Sequence, residues 1–253
     1  MRARIQERLT ELAKEHGFRV VYACESGSRA WGFASADSDY DVRFLFVWPK
    51  ERYLAITAPT ESLDLGVDAE NLDLSGWDLR KALRLFAKSN GPLCEWLHSP
   101  EVYNEDAEFM KRWRALTAEV FSPKANAYHY VGLGKNFSRT IAETGVVTAK
   151  KYLYALRATL AARYVLATGK PAPVEFTVLL EAADLHPSLR SEIDDMVAAK
   201  ADGGEGDAIP RSTTLDQYVE DSLLAVADKV EALPRRSAPM DLLDALFLEA
   251  LDR

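Results

Sequence analysis

A glycine–serine pair, followed at short distance by two closely spaced acids, is the part of the sequence best suited to chemistry. Residues 24–32 read CESGSRAWG, and residues 38–43 read SDYDVR. Because Gly27-Ser28 follows an apolar, β-branched run, we predict a strand that ends in a tight turn. The backbone N–H groups of such a turn can bind a phosphate.

The acids lie on the predicted strand after this turn. Asp39, Asp41 and Arg43 alternate with apolar or aromatic residues, so on a strand of period 2 the three charged side chains share one face. Two neighbouring carboxylates repel each other unless a cation lies between them. Mg²⁺ that is also bound by substrate phosphates prefers such oxygen ligands. Together the turn and the acids indicate phosphoryl or nucleotidyl transfer.

This combination resembles a known superfamily. Gly27-Ser28, ten further residues and Asp39-x-Asp41 are similar to the signature of the DNA polymerase β-like nucleotidyltransferases. The longer strings GSRAWGFASADSDYDVRF, DLSGWDLRKAL and KSNGPLCEWLHSP resemble the RlaP group of bacteria and phage, proposed to act in RNA repair. The closest resemblance covers about residues 18–103.

The resemblance implies an α+β fold, a small mixed β-sheet with helices like the palm of polymerase β, followed by an all-helical C-terminal domain. Beyond residue 120 the pattern is helical throughout, and we divide the chain into a nucleotidyltransferase domain, 1–118, and a helical domain, 119–253.

The implied reaction transfers a nucleoside monophosphate from a nucleoside triphosphate to a hydroxyl acceptor and releases pyrophosphate. Asp39 and Asp41 would hold two Mg²⁺ ions, with Mn²⁺ as the alternative. Gly27, Ser28 and Arg29 would bind the phosphates, although Arg29 could equally pair with the acids. The expected acceptor is an RNA end, such as that of a tRNA. A protein or small-molecule hydroxyl, or a non-catalytic nucleotide-binding module, stays open as an alternative.

Folds of this superfamily carry a third carboxylate on a neighbouring strand. Asp73, flanked by two leucines in a predicted hairpin over 61–74, is the best candidate for this metal ligand. Asp78 competes with it. However, the run 75–78 also fits an N-cap with an acid at the third position of a helix over 76–88, which explains Asp78 without catalysis.

A helix over 148–167 carries a second group of candidates. Leu153, Leu156 and Leu160 form its apolar stripe, together with Tyr164. Lys150, Tyr154 and Arg157 form a neighbouring stripe at positions i, i+4 and i+7. This stripe could contact a triphosphate and a base, or it could be a solvated edge with long side chains over apolar surface.

Composition limits the partners and the location of the protein. The 253 residues carry a formal charge of −8, which argues against a surface that wraps long nucleic acid and still permits a nucleotide or a short RNA end. Two cysteines and four scattered histidines give no zinc or disulfide pattern. No apolar run is long enough for a membrane span, and the first residues mix both charge signs, so we predict a cytoplasmic protein.

Overall fold

A five-stranded sheet and thirteen helices form the computed structural model, which describes residues 1–144, 147–202, 207–234 and 236–253. The strands are β1 (Arg19–Glu25), β2 (Tyr40–Val47), β3 (Ser62–Val67), β4 (Leu72–Asp78) and β5 (Val102–Glu105). The helices are α1 (Arg2–His16), α2 (Gly27–Trp31), α3 (Lys50–Leu54), α4 (Leu79–Phe86), α5 (Gly91–Leu97), α6 (Ala107–Ala115), α7 (Thr117–Val120), α8 (Pro123–Thr144), α9 (Ala149–Thr168), α10 (Phe176–Ala182), α11 (Pro187–Asp202), α12 (Thr213–Val230) and α13 (Met240–Leu251). The predicted α+β fold class, with a small mixed sheet, is confirmed.

The sheet has the order β3-β4-β2-β1-β5. Its neighbours are antiparallel except for β2 and β4, which run parallel. In this parallel pair Asp41 lies opposite Asp73, and Phe46 lies opposite Asp78. Of the two candidates for the third carboxylate, Asp73 therefore lies beside Asp41, and Asp78 lies five residues further along β4.

Two apolar cores cover the two faces of the sheet. Along β2, Leu45 and Val47 pack with α4, α5, α6 and α13, whereas Phe44 and Phe46 pack with α1. This division follows from the alternation of side chains along a strand. β2 is consequently buried on both faces over its C-terminal half, which gives the acids at its beginning a rigid base.

The chain forms two compact units. The first comprises Met1–Ala30, Asp39–Phe121 and Arg236–Arg253, and the second comprises Trp31–Ser38 and Ser122–Arg235. The predicted division after residue 118 differs from these units in two main places. Trp31–Ser38 belong to the second unit, and α13 belongs to the first, because its Leu243, Leu246 and Ala250 join the core around α4.

In the second unit, α9 lies among other helices and is buried on most of its surface. Thr148 caps it by accepting a hydrogen bond from the backbone of Lys151, and Gly169 ends it at φ 67°. The predicted helix over 148–167 is confirmed. No helix formed by the described residues has the length and apolar composition needed to cross a membrane.

The predicted start of the helix after β4 is wrong by three residues. β4 continues to Asp78, and α4 begins at Leu79 with Asp78 itself as the N-cap. Residues 76–78 stay in the sheet because Gly76 packs closely against the ring of Phe44 and Trp77 pairs with Ser62 of β3.

We expect Gly76→Ala to destabilise the protein by about 2–3 kcal/mol, because a Cβ there would lie 2.3 Å from the fully buried ring of Phe44. Urea unfolding followed by circular dichroism measures the change. The matched control is Ser75→Ala, which removes one 3.3 Å hydrogen bond to Leu63 and should cost about 0.5–1 kcal/mol. Equal midpoints for the two variants would contradict the packing argument.

Candidate active site

The glycine–serine turn lies directly against the carboxylate of Asp41. β1 ends at Glu25, and Gly27 turns the chain into α2 with φ 58°. A Cβ on Gly27 would lie 1.9 Å from Oδ2 of Asp41 and 2.7 Å from its Cγ. Only a residue without a side chain, and with access to positive φ, fits this position. The turn and the second acid of the motif are therefore neighbours in space.

Asp41 and Asp73 both form an ion pair with Arg43. Nη2 of Arg43 lies 2.8 Å from Oδ1 of Asp41 and 2.8 Å from Oδ2 of Asp73, and Nη1 donates to the backbone carbonyl of Asp73 at 2.9 Å. All three side chains are mostly buried. Arg43 thus neutralises part of the negative charge of the two acids.

The donor set is of the kind that suits a divalent ion. Carboxylate oxygens from one or two residues, completed by substrate phosphates, are typical ligands of Mg²⁺, and Asp41 and Asp73 present such oxygens on adjacent strands. An ion bound by both would compete with the hydrogen bonds from Arg43. Among the residues that the structure describes, no three acidic, histidine or cysteine side chains are grouped to hold one metal ion.

Asp39 lies just outside the strand on which it was expected. β2 begins at Tyr40, and the backbone carbonyl of Asp39 accepts a hydrogen bond from Nε of Arg29 at 3.0 Å. The guanidinium carbon of Arg29 lies 3.8 Å from the centre of the Tyr40 ring, and Ser28 is buried. Arg29 therefore contacts the first residues of β2 and stabilises their position, while its binding of phosphate stays a prediction.

Asp78 has a full set of structural partners. It is completely buried, accepts hydrogen bonds from the backbone N–H groups of Arg80 and Lys81, and accepts another from the hydroxyl of Tyr53. Burial raises its pKa above the ordinary value. These contacts account for Asp78 as a helix cap. Asp73 stays the predicted third ligand.

Glu25 is a site residue that the sequence reasoning missed. It is 2% exposed, and its carboxyl accepts hydrogen bonds from the backbone N–H of Asp41 at 2.8 Å and from the hydroxyl of Tyr103. Burial raises the pKa of Glu25 to about 7, although both hydrogen bonds act in the opposite direction. The sequence did contain one indication of this role, because Glu25 is an acidic residue at the end of an apolar strand and directly before the turn. Tyr103 gave none.

The stripe on α9 lies within the second unit. Arg157 is 2% exposed, donates to the carbonyl of Val174 at 3.2 Å and places its guanidinium carbon 4.2 Å from the centre of a Trp31 ring. The ring of Tyr154 lies 5.0 Å from the same indole, and Lys150 lies 5.8 Å from Tyr154. Arg157 and Tyr154 thus hold the segment that begins at Trp31, and their contact with nucleotide stays a prediction.

A buried lysine, also missed from the sequence, holds the same segment. Lys200 of α11 is 2% exposed, and its ammonium group donates to the hydroxyls of Ser35 and Ser38 at 3.4 and 3.5 Å. The residues 31–38 joining α2 to Asp39 are therefore fixed by α9 and α11 of the second unit.

Comparison with known proteins places the chain in the class of polymerase β-like nucleotidyltransferases. The chain belongs to the RlaP family, described as an RNA repair pathway DNA polymerase beta family, whose model matches residues 1–249. The uncharacterized protein YcgL of Bacillus subtilis (strain 168) is 38% identical over 240 residues, which cover 95% of this chain and 92% of YcgL. A solved nucleotidyltransferase-like protein from Exiguobacterium sibiricum 255-15 is 12% identical with a TM-score of 0.32, and the match covers 90% of this chain and 75% of that one.

We expect Glu25 to make stability fall as pH rises from about 5 to 7. In the folded protein the pKa of this carboxyl is about 7, whereas in the unfolded chain the carboxyl has the ordinary, lower pKa of a glutamate. Between the two pKa values only the folded state binds the proton, so the free energy of unfolding falls as pH rises across that interval. Relative to Glu25→Gln, the free energy of unfolding of the wild type should drop by about 2 kcal/mol between pH 5 and 8. Urea titrations in the presence of a chelator measure it. Parallel pH profiles for the two proteins would refute the assignment.

Proposed function

We propose that the protein is a Mg²⁺-dependent nucleotidyltransferase that transfers a nucleoside monophosphate from a nucleoside triphosphate to a hydroxyl group at an RNA end. The observation that supports this most directly is the contact of Gly27 with the Asp41 carboxylate, beside Asp73 on the parallel strand. A phosphate-binding turn is useful to catalysis when it faces the groups that bind the metal of the nucleotide. The family, described by an RNA repair pathway, supports RNA as the acceptor.

In this proposal the backbone of Gly27 and Ser28, with the side chain of Arg29, binds the β- and γ-phosphates. Asp39, Asp41 and Asp73 hold Mg²⁺, or Mn²⁺ in its place. Bound there, the metal neutralises phosphate charge and activates the attacking oxygen. Before it binds, Arg43 suppresses the repulsion between Asp41 and Asp73.

The proposed reaction is an in-line displacement. The acceptor hydroxyl oxygen forms a bond to the α-phosphorus, the bond from that phosphorus to the pyrophosphate oxygen breaks, and Asp73 accepts the hydroxyl proton. Catalysis then depends mainly on positioning and charge neutralisation. Lys150, Tyr154 and Arg157 are also proposed to bind nucleotide, and of these Lys150 and Tyr154 are half-buried whereas Arg157 is buried.

An RNA end is favoured over a long RNA surface because the chain carries a charge of −8. The same acidity favours the second candidate, transfer to a protein or small-molecule hydroxyl. We place the activity in the cytoplasm, where nucleoside triphosphates and RNA ends are both available.

Four α-³²P-labelled nucleoside triphosphates, each offered with total RNA, with lysate protein or with neither, test the acceptor. We expect the label in the RNA fraction. Label found only in protein or in a small-molecule product would overturn the choice of RNA while keeping the enzyme class.

We expect Asp39→Asn and Asp41→Asn each to lower transfer at least ~100-fold, because an amide of the same shape lacks the charge that binds a divalent ion. The measurement is the initial rate of label transfer at saturating Mg²⁺, with circular dichroism to show that the fold is kept. Wild-type turnover in either variant would show that the site is misassigned.

Asp73→Ala and Asp78→Ala should separate catalysis from stability. We expect Asp73→Ala to lose transfer with little change in melting temperature. Asp78→Ala should cost about 1–3 kcal/mol of stability, because it removes the cap of α4 and the partner of Tyr53, and should keep its turnover when folded. The reverse pattern would make Asp78 the metal ligand.

A further inference from the structure

The antiparallel pairing of β1 and β2 is interrupted at Asp41. Glu25 lies opposite Val42, so continuing the register by one residue places Ser26 opposite Asp41. In a hydrogen-bonded antiparallel pair, the two opposite residues normally donate to and accept from each other, which gives two N–H···O bonds. Only one of these is made to Ser26: its N–H donates to the carbonyl of Asp41 at 2.8 Å. The carbonyl of Ser26 instead accepts from Ala30 at 3.4 Å, as the chain turns into α2.

The side chain of Glu25 replaces the missing partner. Its Oε1 accepts the N–H of Asp41 at 2.8 Å, so this N–H keeps a partner where the turn leaves the sheet at Gly27. An unpaired buried N–H costs about 1–3 kcal/mol. The backbone of Asp41 is thereby held on one side by Ser26 and Glu25, while its carboxylate contacts Gly27 and Arg43.

Glu25 itself is fixed at both ends. The hydroxyl of Tyr103 on β5 donates to its Oε2. Its backbone carbonyl accepts from Oγ of Ser99 at 2.6 Å, and its N–H donates to Glu101 at 2.9 Å. A carboxyl held this way has little freedom to turn away from Asp41.

We infer that Glu25, oriented by Tyr103, is a positioning residue that sets the direction of the Asp41 carboxylate for binding a divalent metal ion. The inference rests on the proposed function, since it is Asp41 that binds the metal there. Partners behind a metal ligand change metal affinity by about 10–100-fold when they are removed, because a ligand that moves by a fraction of an ångström no longer fits its ion.

Mn²⁺ binding to the full chain, measured by the electron paramagnetic resonance signal of the free ion, tests this without an acceptor. Glu25→Met keeps the length of the side chain and removes both acceptor oxygens, so we expect Mn²⁺ affinity to fall about 10–100-fold. Glu25→Gln keeps an oxygen for the Asp41 N–H and should stay within about threefold of the wild type. Tyr103→Phe frees the carboxyl to rotate and should weaken binding several-fold.

Tyr53→Phe is the matched control. It removes a hydroxyl from another tyrosine–carboxyl pair, Tyr53 with Asp78, and Asp78 lies five residues along the strand from Asp73. It should lower stability about as much as Tyr103→Phe and leave Mn²⁺ affinity unchanged. Equal weakening by both tyrosine variants would show a general loss of stability and would overturn the positioning role.

The two proposals fail in different ways. If the wild type binds Mn²⁺, Asp41→Asn weakens that binding and Glu25→Met does not, the inference about Glu25 is wrong and the proposed function stands. If the wild type does not bind Mn²⁺, or Asp41→Asn leaves its affinity unchanged, both fall. Should Glu25→Met not fold, Tyr103→Phe decides, and wild-type affinity in that variant overturns the inference.

Discussion

The approach of the Gly27 backbone to the Asp41 carboxylate is the constraint on which the first unit is built. There is no room between them for even one methyl group, so the end of β1, the turn and the beginning of β2 must keep a fixed spacing. Three features maintain that spacing. They are the positive φ of Gly27, the hydrogen bond from Ser26 to Asp41, and the apolar core that α1 forms on one face of β2. A change in any of them would move the acid relative to the turn.

The charges follow from the same arrangement. Two acids on adjacent parallel strands need a compensating cation, and Arg43 provides it from the strand that carries Asp41. Behind them Glu25 is buried in a region already rich in negative charge, and its raised pKa reflects chiefly that burial. Placing these carboxyl groups close together is electrostatically unfavourable. In return, each group is oriented by hydrogen bonds within the protein rather than by solvent.

The residues that could be predicted from the sequence are those whose pattern is local. The strand, turn and acidic strand follow from an apolar run, Gly27 and the alternation after Tyr40, and the α9 helix follows from its cap and its terminal glycine. Other features depend on contacts distant in sequence. Asp78 looks like the third residue of a helix until the ring of Phe44 and the pairing with β3 keep residues 76–78 in the sheet. Likewise, Arg157 looks like a surface residue until Trp31 and Val174 cover it, and nothing near Tyr103 indicates that its hydroxyl reaches Glu25.

Neither unit is a continuous piece of chain. The polypeptide passes between them at residues 30–31, 38–39, 121–122 and 235–236. In sequence, the helical unit is therefore inserted into the unit that contains the sheet, and it also includes the eight residues before Asp39. A fragment ending near residue 118 would lose α13 from its core and would leave Phe33 and Trp31 without the aromatic partners they have on α9 and α10. The segment that precedes Asp39 therefore takes its packing partners from residues beyond 121, and a fragment that ends near residue 118 lacks all of them.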